Sequence, residues 1–291
     1  MMRIGVVHPQ TELDGDVGAL RAYVEAVDAL GYTHLLAYDH VVGADPTVHE
    51  GWRFPYDVDS TFHEPFVMFG YVAAMSRLEL VTGIIILPQR QTVLVAKQAA
   101  EVDLLAEGRF RFGVGLGWNA VEYEALGVDF TERGRRIDEQ IPLLRRLWTE
   151  RTVTHAGRFE RITGAGIAPL PVQRPIPVWF GGSSEPAYRR IGRLADGWFP
   201  QVPPGEHLDA ARAIVDDAAR AAGRDPASIG IEGRVTYGAG GIDGLVDHAT
   251  RWRDAGAGHL SVNTMGAGLD GVDAHIEVLT SAIEALRDLG Q

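Results

Sequence analysis

The sequence contains no cysteine, a single lysine and no long hydrophobic run. Without cysteine, the chain cannot form disulfides, use a thiolate nucleophile, hold an iron–sulfur cluster or bind zinc through sulfur. The most apolar stretch, residues 84–87, is far shorter than the roughly 20 residues that a membrane-spanning helix needs. Residues 1–10 lack the cationic start and apolar core of a signal peptide, so we expect a cytoplasmic protein.

The balance of charge is acidic. The 291 residues include 39 Asp and Glu against 27 Lys and Arg, which gives a net charge of −12. Proteins that bind nucleic acids or anionic membranes need a basic face, so this balance argues against both partners. Hydrophobic residues make up 46% and charged residues 23% of the chain, which is typical of a globular protein. We therefore expect neither a nucleic acid nor a membrane as a partner.

The chain repeats one unit, a short apolar strand followed by an amphipathic helix. In the helix predicted at 17–30, Leu20, Tyr23 and Val27 fall on one stripe. Strands are predicted at 3–7, 32–38, 78–87, 110–115, 176–180, 197–199, 229–235 and 259–262. Helices are predicted at 17–30, 65–76, 93–106, 133–148, 185–194, 208–222, 245–255 and 273–289. Eight such units predict an α/β protein, a single (β/α)8 TIM barrel over residues 1–291, with a doubly wound open sheet as the alternative.

Two stretches between the predicted elements are long. The loop after strand two, residues 39–64, is rich in aromatic residues and can cover a pocket and exclude water. A small insertion, residues 150–175, precedes strand five and is predicted to hold a hairpin of strands 152–155 and 158–162, with its turn at Ala156-Gly157. In a TIM barrel the loops after the strands carry the site, so the catalytic and binding residues are expected in those loops.

Motifs of metal-dependent and serine hydrolases are absent. The ten histidines form no His-x-His pair and no His-Glu-x-x-His, and the sequence has no Gly-x-Ser-x-Gly elbow. We therefore expect no metal, although a scattered site of histidine and carboxylate remains an open alternative.

Two glycine-rich segments follow predicted strands four and five. Residues 113–119 (GVGLGWN) lack the spacing of the dinucleotide-binding fingerprint, but Asn119 predicts an N-cap and Glu122 completes a capping box. Residues 181–186 (GGSSEP) likewise lead into a helix. Both segments present bare backbone amides at a helix N-terminus, where a phosphate or another anion binds. The alternative is that each is a tight turn with an ordinary cap.

Other segments carry single features. Asp39-His40 follows strand two, where a carboxylate can set the charge and tautomer of a histidine; the alternative is a structural pair. Gly83 inside the apolar strand indicates a bulge or the close approach of a flat ligand. The charged run 133–139 predicts a solvated helix face or a subunit contact.

Taken together, these segments resemble the bacterial luciferase-like flavin and deazaflavin oxidoreductases, most closely their compact coenzyme F420-dependent members. The resemblance covers nearly the whole chain. It rests on Tyr38-Asp39-His40, Glu64-Pro65-Phe66, residues 87–90 (LPQR), 96–100 (AKQAA) with Asp103 and Gly108-Arg109, residues 113–119 with Glu122 and Gly127, Arg133-Gly134 with Asp138-Glu139, Gly181-Gly182, and Asp196-Gly197-Trp198.

The resemblance implies a barrel with one planar cofactor across its C-terminal mouth. It implies that Asp39 and His40 approach the ring, with His40 as proton donor or acceptor oriented or tuned by Asp39. It also implies a bulge with a cis peptide bond between Gly83 and Ile84 that backs the ring. The positions that match the region for the cofactor's polyol and phosphate are Gly115, Gly117, Trp118, Asn119, Gly181, Gly182 and Ser183.

We therefore expect an oxidoreductase that transfers a hydride between coenzyme F420 and a small organic substrate. The loop 39–64 is the expected lid, with Trp52 and His63 as substrate-binding residues. Trp118 stands where some sugar-phosphate dehydrogenase relatives carry a catalytic Glu, which argues against that substrate class. Because relatives are commonly homodimers, we also expect a homodimer.

Three other functions remain open at this point. An FMN-dependent monooxygenase shares the same barrel and most of the same motifs. A non-catalytic flavin- or F420-binding protein would bind the cofactor without turnover. A structural barrel would bind no cofactor at all.

Overall fold

Parallel strands form a closed barrel. The structure, a computed structural model, describes residues 2–290. Its strands are β1 (Arg3–Val7), β2 (His34–Ala37), β3 (Glu79–Thr82), β4 (Ile85–Ile86), β5 (Phe110–Gly115), β6 (Val153–Ala156), β7 (Arg161–Ala165), β8 (Val178–Gly182), β9 (Gly197–Pro200), β10 (Gly230–Thr236) and β11 (His259–Asn263). The order in the sheet is β3-β2-β1-β11-β10-β9-β8-β5-β4, and a β3–β5 pairing closes it. Since β3 and β4 occupy one barrel position, this is the predicted (β/α)8 barrel.

Helices surround the barrel. They are α1 (Val17–Ala29), α2 (Pro65–Ala73), α3 (Thr92–Leu105), α4 (Ala120–Ala125), α5 (Arg133–Thr149), α6 (Glu185–Leu194), α7 (Glu206–Ala221), α8 (Gly241–Asp254) and α9 (Gly271–Ala285). The predicted stripe of α1, including Leu20, Tyr23 and Val27, is buried against the sheet. The last helix ends earlier than predicted, because a 3₁₀ turn over Arg287–Gly290 follows α9. Within residues 2–290, no helix combines the length and the apolar character that crossing a bilayer requires.

The third barrel strand is interrupted between β3 and β4. Val81 of β3 pairs with Arg111 of β5, whereas Ile85 of β4 pairs with Val114. Four steps along one strand therefore match three along the other, which is the register of a β-bulge. The bulge falls at the Gly83–Ile84 peptide bond, which is cis. Both features expected here from the sequence are confirmed.

Apolar side chains fill the middle of the barrel. The cluster consists of Val7, Leu36, Val81, Trp179 and Phe199, and each of these residues is buried. Because side chains alternate between the two faces of a strand, residues two positions earlier or later also point inward, below or above this cluster. The cluster therefore lies between the N-terminal end of the barrel interior and the C-terminal mouth.

An ion network lies below the apolar cluster, near the N-terminal ends of the strands. Arg111 Nη1 is 2.6 Å from Glu232 Oε2, and Arg111 Nε is 3.0 Å from Glu79 Oε2. His34 Nε2 lies 3.0 Å from the other Glu232 oxygen. The Arg111 guanidinium also stacks 4.6 Å from the centre of the Trp179 ring, which joins the network to the apolar cluster. Positions at this end of a TIM barrel contribute to stability rather than to chemistry.

The insertion before β8 is held against α5 by one carboxylate. β6 and β7 form the predicted hairpin, but the turn spans residues 157–160 rather than Ala156-Gly157. Backbone amides of residues 158–160 donate to Glu139 at 3.0–3.3 Å. A Cβ at Gly157 would lie 1.9 Å from Glu139 Oε1, so a side chain there would displace the carboxylate that binds the turn. The charged run 133–139 is therefore not simply a solvated helix face.

We predict that Glu232→Gln destabilises the barrel and flattens its acid unfolding profile. Burial opposes ionisation of Glu232, but Arg111 and His34 outweigh burial and hold its pKa well below the ordinary 4.5. The ionised carboxylate therefore stabilises the fold fully above about pH 4.5, and this contribution declines as the pH falls further. Breaking a buried pair costs about 3 kcal/mol or more, measured by denaturant unfolding at pH 7.

The same measurement at pH 5, 4 and 3 tests the titration. Wild type should lose stability across this range more steeply than Glu232→Gln, by up to about 1.4 kcal/mol per pH unit. Glu150→Gln, which removes an exposed partner of Arg146, is the control and should change little. Equal slopes for wild type and Glu232→Gln would contradict the prediction.

Candidate active site

A cavity of about 850 Å³ opens at the C-terminal ends of the barrel strands. Its volume is within the usual range for small-molecule sites, and this end is where TIM barrels carry them. Of the residues predicted from the sequence, the following line it: Asp39, His40, Gly83, Ile84, Gly115, Gly117, Trp118, Gly181, Gly182 and Ser183. Trp52, His63 and Asn119 are not among the described residues that line this cavity.

Glycines form one side of the cavity because the Ile84 side chain occupies the space beside them. A Cβ at Gly115 would lie 2.7 Å from Ile84 Cδ1, and a Cβ at Gly181 would lie 3.3 Å from Ile84 Cγ2. Gly117 has a φ of +65°, and a Cβ there would lie 2.7 Å from Ile86. This side of the cavity therefore offers backbone and one isoleucine side chain, a surface that suits a flat ring.

His40 lies at the cavity wall among aromatic rings. Its ring centre is 4.8 Å from that of Phe62, 5.2 Å from that of Tyr56 and 5.3 Å from that of Trp118. The His40 side chain is 11% exposed, and its Nδ1 lies 3.5 Å from Glu122 Oε2. The carboxylate next to the His40 ring is thus Glu122. This finding corrects the expected partner, because the sequence pointed to Asp39.

Asp39 instead fixes the two ends of the loop 39–64 through Arg90. Asp39 Oδ1 accepts from Arg90 Nη2 at 2.7 Å, and Asp39 Oδ2 accepts from the backbone amide of Ile86 at 3.0 Å. The other arm of Arg90 donates to Glu64 at 2.8 Å. Burial raises the pKa of Asp39, and the Arg90 guanidinium and the Ile86 amide limit that rise. Asp39 therefore lines the cavity as a structural anchor whose two oxygens are both engaged.

Glu122 of α4 holds the beginning of the same loop. Its carboxylate accepts from the backbone amide of Val41, and from Gln89 Nε2 at 3.0 Å. Burial opposes ionisation of Glu122, but His40, Gln89 and the Val41 amide outweigh burial and lower its pKa. Asn119 caps α4 as predicted, by accepting from the amide of Glu122 at 3.3 Å. The second half of the predicted capping box is wrong, because the Glu122 side chain bonds the loop instead.

Two arginine side chains line the cavity near the N-terminus of α6. Ser183 and Ser184 line the cavity there, and the Ser184 side chain makes no capping hydrogen bond. Arg133 and Arg190 line the same part of the cavity. Arg190 is held by Asp138 at 2.8 Å, whereas Arg133 donates to a backbone carbonyl at 2.6 Å. The buried Nε of Arg133 has no hydrogen-bond partner within residues 2–290. Amides at a helix N-terminus with two nearby arginines form a site for an anion.

The two expected substrate-binding residues lie beside other aromatic rings. Trp52 packs against Phe54 with ring centres 4.8 Å apart, and Phe54 stacks on Trp118 at 4.5 Å. His63 lies next to the buried His8, at 6.2 Å between ring centres. Trp52 therefore supports the cavity wall through Trp118 rather than forming it. In the described part of the chain, no three His, Asp or Glu side chains converge as metal ligands.

Sequence reasoning missed several residues at the cavity wall. Arg133 belongs to the run predicted as a solvated helix face or a subunit contact, Tyr56 belongs to the aromatic residues of the expected lid, and Arg234 has no predicted role. One signal was available: β10 alternates Glu232, Arg234 and Thr236 with apolar or glycine residues. Polar side chains at every second position of a barrel strand indicate a strand that lines a site rather than the core.

Known proteins with this fold include flavin and deazaflavin enzymes. An uncharacterized protein of Mycobacterium tuberculosis is 29% identical over 224 residues, which are 76% of each chain. An FMNH₂-dependent dimethylsulfone monooxygenase of Pseudomonas fluorescens is 33% identical over 186 residues, 62% of this chain and 50% of that protein. The structure of an F420-dependent secondary alcohol dehydrogenase, bound to an F420–acetone adduct, covers 99% of both chains with a TM-score of 0.80 at 16% identity.

The family model of the luciferase-like monooxygenases matches residues 2–240. This match spans most of the chain, including the bulge, the residues around His40 and the N-terminus of α6. The chain belongs to the luciferase-like monooxygenase family.

Proposed function

We propose that this protein transfers a hydride between coenzyme F420 and a small organic substrate, with His40 as the proton donor or acceptor. The observation that carries the proposal is the arrangement of one cavity. It joins the bulge at Gly83 and Ile84, the histidine, and the arginine-lined N-terminus of α6. A planar ring fits against the side formed by Ile84 and the glycines, and a phosphate on its chain fits the anion site at the N-terminus of α6.

The residues present fit such a cofactor. Gly182, with a φ of +144°, approaches Ala187 so closely that a Cβ would lie 2.8 Å from the Ala187 Cβ. A phosphate near Gly182 would meet the Ser183 and Ser184 hydroxyls and Arg133. A ring would lie against Ile84. When bound, the cofactor supplies the hydride chemistry that side chains do not provide.

The chain itself provides the proton and the exclusion of water. Because His40 Nδ1 faces Glu122, the proposed proton exchange with substrate uses Nε2. Glu122 positions the ring in this role. The aromatic rings of Tyr56, Phe62 and Trp118 surround His40 and keep bulk water away from it. General acid–base catalysis by a positioned side chain of this kind typically contributes about 10²–10⁴-fold.

The second candidate is an FMN-dependent monooxygenase. The dimethylsulfone monooxygenase relative, at 33% identity, supports FMN, whereas the alcohol dehydrogenase with the same fold supports F420. We favour F420 because the chain is compact and its residues 87–90 resemble the deazaflavin subgroup.

A homodimer and a cytoplasmic location stay predictions from the sequence. Light scattering at working concentration tests the dimer, and a monomeric mass would contradict it.

We predict that F420 binds with micromolar affinity, more tightly than FMN, and that Arg133→Gln weakens this binding about 10- to 100-fold. The loss follows from removing a charged hydrogen-bond donor from the phosphate site. Fluorescence titration of the purified protein with each cofactor measures it. Arg135→Gln is the matched control, since Arg135 is exposed and pairs with Glu132 outside the cavity. Tighter binding of FMN would instead support the monooxygenase, and no binding of either would refute both candidates.

We also predict that His40→Ala lowers turnover by about 10²–10⁴-fold while cofactor affinity changes little, because the imidazole acts in the proton-transfer step. Turnover is followed by cofactor absorbance at saturating substrate. His207→Ala on the exposed side of α7 is the control. Unchanged turnover in His40→Ala would show that the histidine has only a structural role.

A further inference from the structure

We propose that the substrate carries a compact anionic group, such as a carboxylate, which Arg234 binds in a side compartment of the cavity. This inference rests on the proposed function, because it concerns the substrate of the same site. It adds a substrate class that neither the barrel nor its motifs specify.

Arg234 lies across the mouth from the predicted ring wall. In the order of the eight barrel positions, β10 is diametrically opposite the position shared by β3 and β4, which carries Gly83 and Ile84. Arg234 Nη1 reaches Tyr38 Oη at 3.0 Å, and Nη2 lies 3.4 Å from Gln201 Oε1. The guanidinium therefore reaches from β10 across the mouth to the residue that follows β2, above the apolar cluster.

The partners of Arg234 are neutral, unlike those of Arg190 at the cavity and of Arg111 below it. Arg190 is paired with Asp138, and Arg111 below the mouth is paired with Glu232. Among the described side chains, no carboxylate lies within 4 Å of the Arg234 guanidinium. A hydroxyl and an amide oxygen satisfy hydrogen bonds but leave the positive charge without a counter-ion. Arginine's planar fork matches a carboxylate or phosphate bidentately.

A second, smaller cavity of about 200 Å³ adjoins the main one at Arg234. The two share Pro200, Gln201, Arg234 and Thr236 in their walls. The far wall of the side compartment carries His248 and Arg251, and its described lining contains no Asp or Glu. Arg251 donates to the backbone carbonyl of Pro204 at 2.9 Å. In a chain with a net charge of −12, this locally cationic compartment favours a negatively charged group.

The cofactor also carries anionic groups, but a different part of the cavity suits its phosphate. Arg133 and Arg190 lie with the serines that follow β8, whereas Arg234 lies on β10, with β9 between them. The two cationic regions thus belong to separate barrel positions. We assign the region after β8 to the cofactor's phosphate and the region at Arg234 to the substrate.

Binding of a matched pair of probes, benzoate and benzamide, tests this assignment without requiring turnover. Calorimetric titration of the wild-type protein should give at least about 10-fold tighter binding of benzoate than of the neutral benzamide. Arg234→Gln should abolish this preference, and Arg234→Lys, which keeps the charge but not the fork, should retain part of it. Arg212→Gln, which removes an arginine that donates to the carbonyl of Ala255 and lines neither cavity within residues 2–290, should leave it intact.

Further outcomes separate this inference from the proposed function. Titration of Arg234→Gln with F420 should give the wild-type affinity. An F420 affinity that falls as much as the benzoate affinity would assign Arg234 to the cofactor and overturn the inference. Equal binding of benzoate and benzamide to wild type, or a preference lost in Arg133→Gln but not in Arg234→Gln, would also overturn it. If wild type binds neither F420 nor FMN, the proposed function fails, while the benzoate preference still tests the anion site.

Discussion

The ion pairs of Arg90 are the constraint on which the candidate site depends. One arm of the guanidinium binds Asp39, directly after β2, and the other binds Glu64, directly before α2. The loop between them contains no helix or strand, so its ends are held together by charge rather than by a ladder of backbone hydrogen bonds. Asp39 is nearly inaccessible, with 1% of its side chain exposed, and a buried charge is tolerated only with a partner.

The ion pairs of Arg90 with Asp39 and Glu64 connect the barrel strands to the residues that line the cavity. Asp39 also binds the backbone amide of Ile86, which ties the loop to β4 just beyond the bulge. The next residue in sequence is His40, whose ring is limited on its other side by Glu122 of α4. Three neighbouring barrel positions are therefore joined at their C-terminal ends by two buried carboxylates. The histidine occupies the place where these constraints meet, although it lies in an irregular segment.

The sequence predicted the architecture well because the barrel is encoded locally. Alternating strands and helices, the long loop and the misplaced glycine in the third strand are each visible within a short window. Side-chain partners at the mouth are not, since Arg90 lies 51 positions from Asp39 and Glu122 lies 81 from Val41. Glu122 also fitted a capping box, a local pattern that its tertiary partners override. Arg133 fitted a solvated helix for the same reason, because only the closed barrel turns it toward the cavity.

The side chains at positions 84, 115 and 181 share one space, although the three positions are distant in the sequence. Gly115 and Gly181 lie on β5 and β8, yet the isoleucine from the bulge occupies the space that their side chains would need. A side chain at 115 would require the Ile84 side chain to move or to become smaller, whereas a Cβ at 181 would require Ile84 to move by only a few tenths of an ångström. Family members with other residues at these positions should therefore change them in compensating pairs. The depth of this side of the cavity would then depend on the combined volume of the three side chains rather than on any single residue.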